Sequence, residues 1–133
     1  MKEIKTTGAP AANGPYSQAT VVNNIVYTSG QIPVNPLNGE IPEGIEAQAK
    51  QVFENLKNLL KDAGSGIDKA IKTTVFIQNI DDFAAVNKIY EGYFTEPYLA
   101  RSCAEVSKLP KGVLIEVEVI TEIIESCRHI TCV

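Results

Sequence analysis

Long apolar runs are missing from this sequence. No stretch approaches the roughly 18 consecutive apolar residues of a membrane-spanning helix. The opening Met1-Lys2-Glu3-Ile4-Lys5 lacks the apolar core of a secretory signal. Clustered positive charge is missing too. The 12 Lys and Arg residues are scattered against 16 Asp and Glu, for a net charge of -4. Affinity for phosphate backbones needs clustered cations, so a nucleic-acid partner is not expected. Paired cysteines are also lacking. The three present, Cys103, Cys127 and Cys132, are odd in number and form no spaced framework. That fits a reducing compartment, and together these absences predict a cytoplasmic protein. Histidine is almost absent: His129 stands alone near the C-terminus, beside Cys127 and Cys132. Without a Cys-x-x-Cys pair this is a poor zinc set, and no metal is expected.

What remains is ordinary for a folded domain. The chain has 133 residues, 44% hydrophobic and 21% charged, enough for one domain with a single core. Glu3 to Thr6 is a weakly signalled edge strand. Thr7 to Pro15, rich in Gly, Pro, Ala and Asn, is a loop. Asn23-Asn24 separates the runs Ala19 to Val22 and Ile25 to Thr28, which predicts a hairpin. Gly30, just after the second run, suggests a bulge or a close approach of backbone to another group. Asn35 to Gly44 carries two prolines and two glycines and is a surface loop.

From Ile45 to Ala63 the apolar residues Ile45, Ala49, Val52, Phe53, Leu56, Leu59, Leu60 and Ala63 follow helical spacing, with Gln48 and the charged residues on the other face. Gly64 is a fitting stop. Ile71 to Ile77 predicts a strand. Phe83 to Phe94 predicts a second helix, capped by Asp81 or Asp82. Ser102 to Ser107 and Val113 to Ile124 predict the last strands, joined by Leu109-Pro110-Lys111-Gly112. The order β-β-β-α-β-α-β-β is an α+β layout, a mixed sheet with two helices packed on one face. The opposite face would be bare in a monomer, which invites an oligomer.

That bare face has an unusual feature. Ile115-Glu116-Val117-Glu118-Val119 puts the apolar residues on one side of a strand and both glutamates on the other. Solvent exposure would explain the acidic side. A polar cleft in which Arg101 and a carboxylate act on one small molecule would explain it too.

The motifs carry a resemblance. Gly14-Pro15-Tyr16-Ser17-Gln18-Ala19, Ser29-Gly30-Gln31-Ile32-Pro33, Asn87, Arg101-Ser102-Cys103 with Glu105-Val106, Leu109-Pro110-Lys111 and Ile115-Glu116-Val117-Glu118 occur in one order. In these the chain resembles the RidA (YjgF) family of reactive intermediate deaminases, from about Ala9 to Glu118. The resemblance implies a chorismate-mutase-like single domain, here residues 1–125, followed by a tail, 126–133, to which no motif belongs. It implies a homotrimer with clefts between subunits. It also implies hydrolysis of 2-imino acids, 2-iminobutanoate and 2-iminopropanoate, to 2-keto acids and ammonia, without metal or organic cofactor. Arg101 would hold the substrate carboxylate. Glu116, with the backbone at Cys103, would place the attacking water, and an arginine nearby would keep that carboxylate ionised. Tyr16, Ser29, Gly30 and Asn87 would line or support the cleft. Cys103 is not expected to be a nucleophile, because His129, the sole histidine available as a base, lies in the tail. The family pattern RSCVEV carries Ala104 here, a small loss of volume. Other classes stay open: deamination of a different enamine or imine, sequestration of small carboxylates without turnover, or an RNA-directed translation inhibitor, which the acidic composition disfavours.

Overall fold

Asn23 and Asn24 both take positive φ, 51° and 63°, the paired left-handed conformations of a tight hairpin turn. They join β2 (Ala19–Val22) to β3 (Ile25–Thr28) in a computed structural model that describes residues 1–124. β1 (Lys2–Ile4) pairs with β2. After β3 come α1 (Ile45–Asp62), β4 (Ala70–Ile77), α2 (Phe83–Tyr90), β5 (Ala100–Glu105) and β6 (Ile115–Glu122). The six strands form one mixed sheet in the order β1-β2-β3-β6-β4-β5. Only β4 and β5 run parallel; every other pair is antiparallel. β5 is therefore an edge strand, placed beside β4 by the crossover through α2.

Both helices cover one face. α1 buries Val52, Phe53, Leu56, Leu59 and Leu60 against Val75, Ile77, Ile115, Val117 and Val119 of the sheet. Each fully buried aliphatic or aromatic side chain stabilises the fold by about 1.5–3 kcal/mol, so this face is the core. α2 adds Val86 and Tyr90, and Phe53, Tyr90 and Phe94 meet edge-on or tilted at 4.4–5.9 Å.

The departures from the sequence expectations are local. α2 ends at Tyr90 rather than Phe94, because Glu91 to Tyr93 continue as turns. Its approach is capped by Asn79, whose side chain accepts a hydrogen bond from the Asp81 amide, and neither Asp81 nor Asp82 caps it. β6 begins at Ile115, since Lys111 and Gly112 turn the chain with φ of 56° and 67°. Gln48 and Asn55 of α1 are buried, although amide side chains suggest a wet face. Both are fully engaged. Gln48 accepts from the Leu114 amide at 2.7 Å and donates to the Pro42 carbonyl at 3.0 Å. Asn55 donates to the carbonyls of Ile32 and Val34 at 3.2 and 2.9 Å, and accepts from Gln51 at 2.9 Å. Each amide ties a loop to the core, which offsets the loss of its water. Cys127, His129 and Cys132 lie outside the described residues.

Candidate functional site

The register of the sheet decides where each candidate side chain points. Arg101 on β5 lies opposite Thr73 of β4, which lies opposite Val119 of β6. Residues in one cross-strand row share a face. Thr73 and Val119 are buried under the helices, so Arg101 belongs to the helix-covered side, at its edge. Glu116 lies opposite Phe76, in the row that continues to Ala104, and Glu118 lies opposite Thr74. Both glutamates belong to the other, uncovered side. Within one chain Arg101 and Glu116 therefore occupy opposite faces of the sheet.

Around Arg101 the local structure is well built. Its guanidinium carbon sits 4.8 Å from the Tyr90 ring centre and 5.3 Å from that of Phe83. Nη1 donates to Asn87 Oδ1 at 2.6 Å. α2 supplies all three partners: Phe83, Asn87 and Tyr90 fall at spacings of four and three, on one helical face. Tyr90 is held in turn by a hydrogen bond of 2.9 Å with Thr73, and burial pushes its phenol up. Among the described residues no carboxylate lies within ion-pair distance of Arg101. A neutral amide fixes one nitrogen, aromatic rings fix the plane, and the charge is left for an anion. Asn87, Tyr90, Glu91, Tyr98, Leu99 and Arg101 line a cleft of about 410 Å³. Cys103, two residues along, packs half-buried against the core opposite Val75. Burial pushes its thiol up, with Arg101 opposing, so it stays protonated rather than nucleophilic.

On the other face, Gly30 and Glu116 meet. A Cβ on Gly30 would stand 2.5 Å from Glu116 Oε2 and 2.8 Å from its carboxyl carbon. The close approach anticipated from the sequence is thus an approach to the Glu116 carboxylate. It is held by the bridge between Gln31 and Val117, whose amides donate to each other's carbonyls at 2.8 and 3.0 Å. Burial, reinforced by repulsion from Glu118, raises the Glu116 carboxyl above its usual range. The expectation of an arginine-stabilised, ionised Glu116 does not hold within the chain, because Arg101 lies across the sheet.

Ser29 and Tyr16 are separate again. Ser29 Oγ donates to the Ser17 carbonyl at 2.6 Å and its amide to the Gln18 carbonyl at 2.9 Å, which locks the end of β3 to the start of β2. Tyr16 is exposed and its ring lies against Gly14, beside a depression shared with Glu3, Lys5 and Gln18. The chain unites Arg101 with Asn87, and Gly30 with Glu116, but does not bring the two pairs or Tyr16 together. Tyr98, Leu99 and Glu91 are cleft residues that the sequence reading passed over. The available signal was position alone: Tyr98-Leu99 shortly precedes Arg101.

Comparison with known proteins identifies the architecture. A family model described as Endoribonuclease L-PSP matches residues 6–123. The 2-iminobutanoate/2-iminopropanoate deaminase of Escherichia coli strain K12 is 50% identical over 122 residues, covering 90% of this chain and 95% of its own. The crystal structure of RidA from the Antarctic bacterium Psychrobacter sp. PAMC 21119 superposes with a TM-score of 0.90 at 43% identity, covering 92% of this chain and all of that one. The structure of Escherichia coli TdcF with bound serine gives 0.87 at 42% identity, covering 92% and 98%. The chain belongs to the RidA (YjgF) family, whose α+β fold it shares.

Proposed function

We propose that this chain catalyses the hydrolysis of 2-imino acids, 2-iminobutanoate and 2-iminopropanoate among them, to 2-keto acids and ammonia. The observation that carries the reading is the Arg101 guanidinium, held by Asn87 and Tyr90 and matched by no carboxylate among the described residues. Its planar fork suits the substrate carboxylate, which every 2-imino acid presents. The deaminase relative from Escherichia coli supports the reaction, and the relative with bound serine supports a small carboxylate ligand.

The chemistry asks for one water and two proton transfers. The water oxygen bonds to C2, and Glu116 takes a proton from that water and passes it to the imine nitrogen. The resulting carbinolamine collapses as its hydroxyl proton moves to nitrogen, the C–N bond breaks and ammonia leaves. Within one chain, burial and Glu118 raise the Glu116 carboxyl, a direction that favours returning the proton it accepts. The backbone at Cys103 helps to place the water, while Tyr16, Ser29 and Gly30 line or support the cleft. Because Arg101 and Glu116 lie on opposite faces of one sheet, the reading includes a homotrimer. Each cleft between subunits takes Arg101 from one chain and Glu116 from the next.

The test couples a threonine dehydratase to this protein and follows 2-ketobutyrate against the spontaneous rate. A rate no faster than the blank would overturn the proposal. The family description also names an endoribonuclease. A net charge of -4, with the basic residues scattered, disfavours that activity here.

A further inference from the structure

The cleft beside Arg101 is larger than a three- or four-carbon acid requires. Its volume of about 410 Å³ falls within the range of roughly 300–1,000 Å³ typical of sites for much larger ligands. If Arg101 anchors the carboxylate, the walls that this chain itself offers the substrate side chain are the remaining lining residues. Those walls differ in character. Leu99 is half-buried and packs against the core, so its position is fixed. Tyr98 is 55% exposed, an aromatic ring presented to the cleft without being buried in the chain's own core. Glu91, just past α2, adds a negative charge to the same cleft. Among the described residues it has no ion-pair partner.

We propose that Tyr98 and Leu99 are specificity-determining residues that favour 2-imino acids with large apolar side chains, and that Glu91 disfavours a second carboxylate. This rests on the deaminase reading above. The carboxylate is fixed at Arg101, and Tyr98, three residues before it in the chain, lines the same cleft. An aliphatic or aromatic substituent on C3 then gains apolar contact with the ring and with Leu99, contact that a methyl or ethyl group is too short to make. A dicarboxylate would instead place like charge near Glu91, a repulsion that solvent and salt weaken at this exposed position.

The experiment uses the full-length protein and imines made in situ by amino-acid oxidases from 2-aminobutyrate, leucine, phenylalanine and glutamate. Turnover is read above the uncatalysed rate. Tyr98→Ala is expected to lower kcat/KM for the phenylalanine-derived imine relative to 2-iminobutanoate by about tenfold, mostly in KM, the size of a lost apolar contact. Tyr98→Phe, which keeps the ring, should restore the ratio. Glu91→Gln should improve the glutamate-derived imine a few-fold, and the gain should shrink at high salt. A ratio unchanged in folded Tyr98→Ala would overturn the proposal. Binding of phenylpyruvate and 2-ketobutyrate by calorimetry separates the two readings. If wild type turns over no imine, the deaminase reading fails. The selectivity claim then stands only if Tyr98→Ala still weakens phenylpyruvate more than 2-ketobutyrate, and it fails if both weaken alike.

Discussion

Glu116 is a carboxyl under two opposing demands. The fold half-buries it beside Glu118 and raises its pKa, yet it has only the flexible end of its side chain to yield under pressure. Gly30 leaves the space that the carboxylate fills. Gly30→Ala would place a methyl 2.5 Å from Oε2 and displace the carboxylate. The fold can absorb that, since the group that must move is a side-chain tip. On the deaminase reading catalysis would not, and kcat should fall by about 10²-fold or more, the scale of losing a positioned acid–base group, with little change in melting temperature. Steady-state turnover beside a thermal melt checks both halves.

The raised pKa has its own consequence for stability. Below the ordinary carboxyl value of 4.5, Glu116 is protonated in both folded and unfolded chains and contributes nothing. Above it the unfolded chain releases the proton more readily, so stability is lost as pH rises toward the folded pKa. Glu116→Gln should therefore unfold at a higher temperature than wild type at neutral pH, and the gain should disappear under acid conditions. Glu118→Gln should lower the Glu116 pKa by removing the repulsion. Melts across pH that show no difference between Glu116→Gln and wild type would contradict this.

Among the elements, α1 does more than cover the sheet. Asn55 pins the carbonyls of Ile32 and Val34, part of the segment that carries Gly30 and Gln31 across β6. Asn55→Ala would leave these buried acceptors without donors and should cost about 1–3 kcal/mol, read as a fall in the denaturation midpoint. Most elements were legible from pattern. The hairpin at Asn23-Asn24, the apolar stripe of α1 and the alternation in β6 are each fixed by neighbours in sequence. Gln48 and Asn55 were not, because their partners, Leu114 and Val34, lie 66 and 21 residues away. The motifs named Arg101, Asn87, Gly30 and Glu116, but not their division between two faces. That division depends on the register of β5 and β6 against β4, a long-range pairing no local period encodes.

At the scale of the whole molecule, the uncovered face leaves Tyr27 exposed near Glu118, at 46%, and Val22 exposed at the far end of the sheet in the row of Glu122, at 42%. A homotrimer would cover such a surface and would also join the two halves of the site. Light scattering should give about three times the chain mass of 14.4 kDa. Mass alone does not test the shared cleft; subunit mixing does. Arg101→Ala and Glu116→Gln should each be inactive as pure trimers. Unfolded together in equal amounts and refolded, they should form mixed trimers in which about a quarter of the clefts draw an intact Arg101 and an intact Glu116 from different chains. Turnover of 2-iminobutanoate should return to about that fraction of wild type. Mixed trimers no faster than the uncatalysed reaction would contradict the account, since a site built from a single chain carries one defect wherever it sits.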